Sequence, residues 1–252
     1  MTRDLFTPDC ALARALPSPS HGERKGPVFA LVLHYTGVPT TQAALDLLLS
    51  PASEVSAHYL VEEDGGVLQL VPEARRAWHA GKSFWAGETD MNSASIGVEI
   101  QHPGHSDPRP YLEAQIAAVT ALARDVCARH AIEPRHVLAH SDIAISRKLD
   151  PGEFFPWERL AAAGVGLYPT PAAIGDDVGL TLGSAGAEVA ALRAKLAAYG
   201  YQAAADGPFD EALEAVVKAF QRRFRPERID GRADRSTLAT LDALLAMLES
   251  NR

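Results

Sequence analysis

Two histidines and one aspartate stand where a metal site could form. His34 is near the end of the apolar run 28–35, and His140 follows the short apolar run 137–139. Asp150 precedes a Pro-Gly turn. Two imidazoles and one carboxylate, supplied by two strand ends and a loop, are the set expected for a catalytic zinc that keeps its fourth position for water. A hydrogen-bonded core histidine is the alternative interpretation of His34.

A proton acceptor and a positive charge are available for the same site. Glu99 lies in the predicted strand 93–101, beside Gly97 and on the face opposite the apolar side chains. Because unpaired glutamate is rarely buried, Glu99 is a general-base candidate, with an ion pair to an arginine as the alternative. Lys148, two positions before Asp150, is the candidate for stabilising an oxyanion, with a solvated loop lysine as the alternative.

Two tryptophans lie near a histidine between the predicted strands. Trp78 is followed by His79, and Trp85 comes six residues later. The two indoles could line a ligand groove or anchor a loop to the core, and both roles are common for aromatic residues.

The elements that must position these residues follow from apolar periodicity, turn residues and helix caps. The pattern predicts strands at 28–35, 55–63, 67–71, 93–101 and 137–139, with a hairpin turn at 64–66. It predicts helices at 42–49, capped by Thr40 or Thr41, and at 111–130 and 157–163.

The chain divides into four parts by composition. Residues 1–27 are rich in proline and predict an irregular arm, and residues 28–163 carry the candidate site. Residues 164–175 predict a linker, and residues 176–252 contain three short amphipathic helices. Such a small bundle has too little core to be very stable alone.

Bulk composition limits the possible partners and compartment. The chain has 24 lysines and arginines against 32 aspartates and glutamates, a net charge of -8, which argues against a nucleic-acid partner. Its two cysteines do not suggest a disulfide framework, and no apolar stretch is long enough for a transmembrane segment. Residues 1–27 contain no export signal, so we expect a cytoplasmic protein, with the periplasm or cell envelope as the alternative. The sequence does not predict an oligomeric state.

Several spaced motifs carry a resemblance to one family. The chain resembles the type 2 N-acetylmuramoyl-L-alanine amidases, zinc enzymes of peptidoglycan cleavage and recycling that are related in fold to the peptidoglycan recognition proteins. The motifs are Leu33-His34-Tyr35-Thr36, Ser56-Ala57-His58-Tyr59, Trp78-His79-Ala80-Gly81, the stretch from Asn92 to Glu99, and His140-Ser141-Asp142-Ile143-Ala144 through Lys148-Leu149-Asp150-Pro151-Gly152.

The resemblance implies a fold and a role for each candidate residue. The expected fold is α+β or α/β, with a mixed central β-sheet flanked by helices and followed by a small three-helix domain. His34, His140 and Asp150 would bind one zinc ion, Glu99 would be the catalytic acid and base, and Lys148 would stabilise the transition state. The substrate groove would include Tyr35, His58, Trp78, His79 and Asn92. His58 and His79 match family positions that are not ligands, and a structural role is the alternative for both.

The implied activity is hydrolysis of the amide between N-acetylmuramic acid, or its 1,6-anhydro form, and L-alanine in peptidoglycan or muropeptides. A peptidoglycan receptor that has the same fold but no catalysis is the alternative. The family commonly has glycine before the second histidine and Pro-Gly in the next loop, whereas this chain has Ala139 and Ile145-Ser146. Because of these changes, the resemblance does not predict the path of the loop that follows His140.

The last 75 or so residues resemble a three-helix peptidoglycan-binding module found attached to cell-wall hydrolases. A plain packing role against the catalytic domain is the alternative. The matching segments are Gly183-Ser184-Ala185-Gly186, Asp206-Gly207-Pro208-Phe209-Asp210, Ala219-Phe220-Gln221 and Asp230-Gly231.

Overall fold

The computed structural model describes residues 6–250, with side chains to residue 249. The strands are β1 Ala13–Ala15, β2 His21–Glu23, β3 Ala30–Tyr35, β4 Tyr59–Val61, β5 Val67–Gln69, β6 Arg75–Ala77, β7 Ser95–Ile100 and β8 Val137–Ala139. The helices are α1 Thr41–Leu48, α2 Met91–Ala94, α3 Glu113–His130, α4 His140–Ile143, α5 Trp157–Ala162, α6 Ala187–Tyr199, α7 Glu211–Phe224 and α8 Arg235–Ser250. Among these residues no helix is both long enough and apolar enough to cross a bilayer.

Six strands form one mixed sheet in the order β1-β5-β4-β7-β3-β8, which confirms the expected fold class. Only β4 and β5 are antiparallel neighbours, and the other four pairs are parallel. The predicted hairpin joins β4 to β5, where Glu62 N–H donates to Gly66 O at 2.8 Å and Gly65 takes a φ of 87°. A separate antiparallel pair joins β2 to β6.

The two faces of the sheet pack against different helices. Leu31 and Leu33 of β3 belong to a core built with the apolar side of α3 and with α5. The alternate residues Ala30 and Val32 lie in a second core with α6, α7 and α8. Because side chains alternate along a strand, His34 shares the face of Ala30 and Val32. The candidate site therefore lies on the face that the C-terminal helices cover.

The three predicted C-terminal helices are present, but they do not stand apart from the sheet. Their buried side chains, such as Leu192, Phe220 and Leu241, share one core with residues of β3 and β8. The segment predicted as a linker also packs, since Val165 and Leu167 are buried. The N-cap of α1 is Thr40, whose Oγ1 accepts from Ala43 N–H at 3.2 Å.

The N-terminal arm differs from its prediction. Residues 1–5 lie outside the described residues, but the segment that follows supplies β1 and β2 rather than only irregular coil. β1 lies parallel to β5 at the edge of the sheet, with Ala13 opposite Val67. The predicted strand 55–63 is shortened to β4, and residues 55–58 precede it outside any strand. Both differences arise from pairings between distant segments, which local patterns do not reveal.

A buried carboxylate ties α3 to the sheet and to the arm. Glu73 accepts hydrogen bonds from Tyr59 Oη at 2.6 Å, from His130 Nε2 at 2.7 Å and from both terminal nitrogens of Arg129. Its own N–H donates to Asp9 Oδ2 at 2.8 Å. Burial opposes ionisation, but the Arg129, His130 and Tyr59 contacts outweigh it and lower the pKa of Glu73 to about 2.

We expect Glu73→Gln to lower the free energy of unfolding at pH 7 by about 3 kcal/mol, as a pKa shift of this size implies. A carboxyl group whose folded pKa is lowered stabilises the fold above its unfolded pKa of 4.5, and this contribution is lost as the pH falls toward about 2. The difference between variant and wild type should therefore shrink through that window. Urea unfolding at pH 7, 4 and 2.5 measures it.

The matched control is Glu54→Gln, because Glu54 is an exposed carboxylate. It should leave the free energy of unfolding within about 0.5 kcal/mol of wild type. Equal stability of the Glu73 variant and this control at pH 7 would contradict the prediction.

Candidate metal centre

Parallel strand ends bring the two candidate histidines together. β3 and β8 are neighbours in register, with Leu33 opposite Ala139, so His34 and His140 follow at the same edge of the sheet. His140 is also the first residue of α4, a short helix that the sequence analysis did not predict. Both imidazoles are buried, at 1% and 2% exposure.

Asp150 reaches the histidines through a closed loop. Ser141 N–H donates to Asp150 O at 3.0 Å, which folds residues 144–150 back onto the start of α4. The carboxylate Oδ2 lies 3.0 Å from His34 Nδ1 and 2.9 Å from His140 Nδ1, and the two Nδ1 atoms are 2.9 Å apart. Zinc bonds of about 2.0–2.1 Å at tetrahedral angles separate ligand atoms by ~3.3 Å. The spacing of the three atoms is close to that of a zinc ligand set.

The outer ring nitrogens support the same interpretation. His140 Nε2 lies 3.2 Å from Ala80 O, so we assign its proton to Nε2. The lone pair of His140 Nδ1 then faces an anionic oxygen at 2.9 Å, a repulsive contact that a cation between them would relieve. His34 Nε2 lies 3.0 Å from His79 Nδ1, a partner of the kind that orients metal-binding histidines.

Charge and burial prepare this cluster for a cation. Burial and the neighbouring His140 lower the pKa of His34 to about 4, so its imidazole is neutral at pH 7. Burial alone would raise the pKa of Asp150, but His140 and His34 hold the pKa of that carboxyl well below its usual range. One carboxylate and two lone-pair donors form the only group of this kind found among the described residues.

Glu99 stands beside His34 on the neighbouring strand. The β3–β7 register pairs the two residues directly, on the same face of the sheet. Its Oε2 is buried and has no hydrogen-bond partner among the described residues, so no arginine pair explains it. Burial, and then the charge of Asp150, raise the pKa of Glu99 well above its usual value, while Lys148 opposes the shift.

Lys148 lies on the loop between His140 and Asp150. It is exposed and takes part in no ion pair within residues 6–249. The loop turns at Ser146, whose φ of 63° is the left-handed conformation that favours glycine. Ser146 therefore adopts a backbone conformation that glycine would adopt with less strain. Arg147, which the sequence analysis missed, fixes the loop by donating to Ala80 O at 2.6 Å and Lys82 O at 2.8 Å.

A cavity of about 320 Å³ is lined by all five residues proposed for chemistry, namely His34, Glu99, His140, Lys148 and Asp150. Tyr35, Trp78 and His79, predicted as groove residues, also line it. A larger cavity of about 510 Å³ lies in the C-terminal module, but it contains no cluster of metal-binding side chains. The cavity at the sheet edge is therefore the candidate active site.

Two predicted groove residues are placed elsewhere. His58 is fully buried, and its Nδ1 accepts from Gly97 N–H at 2.9 Å, so it joins the strands behind the site. Asn92 does not reach the cavity either. Its Oδ1 accepts from the N–H groups of His79 at 2.9 Å and Ala80 at 2.7 Å, which fixes the segment that contacts both histidine ligands. Asn92 is the second residue of α2, and no local pattern in the sequence indicates this role.

Comparison with known proteins agrees with this geometry. Residues 24–153 match the N-acetylmuramoyl-L-alanine amidase family, and residues 185–241 match a peptidoglycan binding domain family. N-acetylmuramoyl-L-alanine amidase AmiD of Escherichia coli is 38% identical over 228 residues, which cover 85% of this chain and 81% of AmiD. 1,6-anhydro-N-acetylmuramyl-L-alanine amidase AmpD of Enterobacter cloacae is 34% identical over 60% of this chain and 89% of its own.

Solved structures extend the similarity over nearly the whole chain. A complex of E. coli AmiD with anhydro-N-acetylmuramic acid-L-Ala-D-gamma-Glu-L-Lys superposes with a TM-score of 0.73, covering 90% of this chain and 98% of that one at 35% identity. AmpDh3 of Pseudomonas aeruginosa in complex with anhydromuramic pentapeptide gives 0.71, with 97% and 99% coverage at 31% identity. By family match, identity and shared structure, this chain belongs to the N-acetylmuramoyl-L-alanine amidases.

Proposed function

We propose that this chain is a zinc-dependent amidase that cleaves between N-acetylmuramic acid, or its 1,6-anhydro form, and the L-alanine of the stem peptide. One observation carries the proposal: the His-His-Asp cluster faces the same cavity as the half-buried Glu99, whose Oε2 has no hydrogen-bond partner among the described residues. The anhydromuramyl peptides bound to AmiD and AmpDh3 support this class of substrate.

The proposed cofactor is one zinc ion per chain, held by His34, His140 and Asp150. Three protein ligands with two nitrogens and one oxygen suit a catalytic zinc site, because a structural site would use a fourth protein ligand. When bound there, the ion supplies Lewis acidity, which polarises a carbonyl group and lowers the pKa of water.

Glu99 is proposed to move the proton. Its carboxylate takes a proton from the attacking water and returns it to the departing amine of L-alanine, so that one group acts as base and then as acid. A raised pKa suits this work, because a carboxyl group with a pKa nearer neutral both accepts and releases a proton at the working pH. Its register position beside His34 keeps it next to the ligand cluster.

Lys148 is proposed to stabilise negative charge on the carbonyl oxygen as the amide is attacked. An ammonium group near a developing oxyanion lowers the barrier most where water is partly excluded. Two observations support this role: Lys148 lines the cavity, and its charge lowers the pKa of Glu99 against the effect of burial.

We also propose the division of labour along the chain. Residues 28–163 would form the catalytic domain, 164–175 the connection, and 176–252 a peptidoglycan-binding domain, with 1–27 as an arm. The two family matches, over 24–153 and 185–241, support these limits.

Metal removal tests the proposed function. With an anhydromuramyl tripeptide as substrate, a strong chelator should remove about one zinc per chain and abolish release of the free peptide, and added zinc should restore it. Zinc analysis and mass spectrometry of the products measure the two effects. Asp150→Asn should bind zinc at least tenfold more weakly, because the ligand loses its charge.

The control for that substitution is Asp46→Asn. Asp46 is an exposed aspartate of α1 whose side chain accepts only from Gln42 within the described part of the chain. It should leave zinc content and turnover unchanged. Stoichiometric binding of muropeptide by the zinc-loaded wild type, with no peptide released, would contradict the amidase and support the receptor.

Glu99→Gln should reduce kcat by about 100-fold or more while zinc content stays at the wild-type level. The same variant should be more stable than wild type in the metal-free form at pH 8. A carboxyl group whose folded pKa is raised destabilises the fold once the pH exceeds its unfolded value, so the gain should disappear below pH 4.5. Steady-state kinetics and urea unfolding at both pH values measure these effects.

Glu62→Gln is the control for this variant, since Glu62 lies in the hairpin turn after β4, outside the cavity. It should change neither kcat nor the pH dependence of stability. Wild-type turnover in the Glu99 variant would remove Glu99 from the mechanism.

Lys148→Met should lower kcat by about 100-fold with little change in KM, because the charge is needed for the transition state rather than for binding. Lys82→Met is the matched control, an exposed lysine on the neighbouring loop that does not line the cavity. An equal loss of activity in both variants would assign the effect to general surface charge instead.

A further inference from the structure

Helix α7 of the C-terminal module carries two adjacent arginines that contact the metal-binding segment. Arg223 is fully buried, and its guanidinium bonds Asp142 Oδ2 through Nη1 and donates to Val137 O at 2.6 Å through Nη2. The same group lies 4.2 Å above the ring centroid of Trp157. These contacts join the C-terminal module to β8 and α4, the two elements that meet at His140.

Asp142, which accepts the hydrogen bond from Arg223, lies two residues after His140 and is fully buried. Its Oδ2 also accepts from Ala139 N–H at 2.8 Å, the peptide group just before His140. Its Oδ1 accepts from Tyr201 Oη at 2.8 Å. Both side-chain donors to this carboxylate among the described residues therefore come from the C-terminal module. The carboxylate fixes the turn from β8 into α4, and that turn sets the direction of the His140 imidazole.

The neighbouring Arg222 acts on the other end of the same segment. Its Nε lies 3.5 Å from Glu153 Oε2, three residues past Asp150. Glu153 Oε2 also lies 3.0 Å from His105 Nε2, and His105 Nδ1 lies 3.0 Å from Tyr35 Oη in the cavity wall. One turn of α7 thus contacts residues on both sides of the ligand pair His140 and Asp150.

Other contacts also join the module to the sheet region. Trp85 packs edge-on against Tyr199 and Tyr201, at centroid distances of 5.4 and 5.2 Å, and Ala86 N–H donates to Gly200 O at 2.8 Å. An apolar interface of this kind would hold the module in place by burial. Burying the two charges of the Arg223–Asp142 pair is costly, so packing of the module alone does not account for this ion pair beside the turn from β8 into α4.

We propose that Arg223 and Tyr201 are positioning residues for the metal centre, acting through Asp142 on His140. The C-terminal module is then a structural part of the active site as well as a wall-binding unit. The inference rests on the zinc site of the proposed function. It concerns how firmly the chain presents His140 to the metal, and no step of the reaction depends on it.

Paired tyrosine variants of the full chain test the proposal. Tyr201→Phe removes only the hydroxyl that donates to Asp142, whereas Tyr199→Phe removes a buried hydroxyl that has no partner among the described residues. Both rings still pack on Trp85. Arg223→Lys keeps the charge but loses the two-pronged contact with Asp142 and Val137 O. Zinc affinity is measured by competition with a chromogenic chelator, and ligand geometry by the visible spectrum of the cobalt-substituted protein.

We expect Tyr201→Phe and Arg223→Lys to weaken zinc binding by about tenfold and to alter the cobalt spectrum, with Tyr199→Phe equal to wild type. If Arg223→Lys does not fold, the tyrosine pair decides. Wild-type affinity and spectrum in Tyr201→Phe would overturn the inference while leaving the proposed function intact. Failure of the wild type to bind zinc would instead overturn the proposed function, and this inference with it.

Discussion

Three candidate ligand atoms, His34 Nδ1, His140 Nδ1 and Asp150 Oδ2, lie within 3.0 Å of one another and place a strict demand on the backbone that carries them. His34 and His140 meet because β3 and β8 are parallel neighbours that end at the same edge. Asp150 joins them because its carbonyl oxygen is bonded to the first turn of α4. A slip of one residue between the strands would turn one imidazole to the opposite face, since side chains alternate along a strand. The sheet register, the short helix α4 and the loop turn at Ser146 are therefore all conditions of the same site.

Burial prepares the histidines around this site as lone-pair donors. Burial is the main cause that lowers the pKa of His34 to about 4 and that of His58 to about 3, and it lowers the pKa of His79 well below its usual value. Neutral imidazole is the form that binds a metal, so His34 would release little proton on binding one at pH 7. The packing behind the ligands is tight, because a Cβ at Gly97 would come within 2.4 Å of the His79 ring. Glycine in β7 therefore makes room for the histidine that supports His34.

Local patterns in the sequence predicted the parts of this arrangement that depend on periodicity. Alternation in β7 placed Glu99 on the face away from the apolar residues, and apolar runs placed His34 and His140 at strand ends; the structure agrees on both points. The rest depends on contacts between distant segments. The sequence does not reveal that Asn92 Oδ1 accepts hydrogen bonds from the backbone N–H groups of residues 79 and 80. His58 was predicted as a structural or a groove residue, and only the structure shows that it is fully buried and bonded to Gly97.

The contact between the two family regions stabilises both of them. A bundle of three short helices buries too little apolar surface to be very stable alone, and a sheet face carrying Ala30, Val32 and Leu138 would be exposed without a cover. When the bundle packs on that face, the bundle gains buried apolar surface and the sheet face is covered. Burial of apolar area is favourable for both. The same packing brings α7 against α4, so the energy that holds the bundle in place also restrains the ligand turn. Although two separate families match this chain, the physical unit that supports the metal cluster includes residues from both.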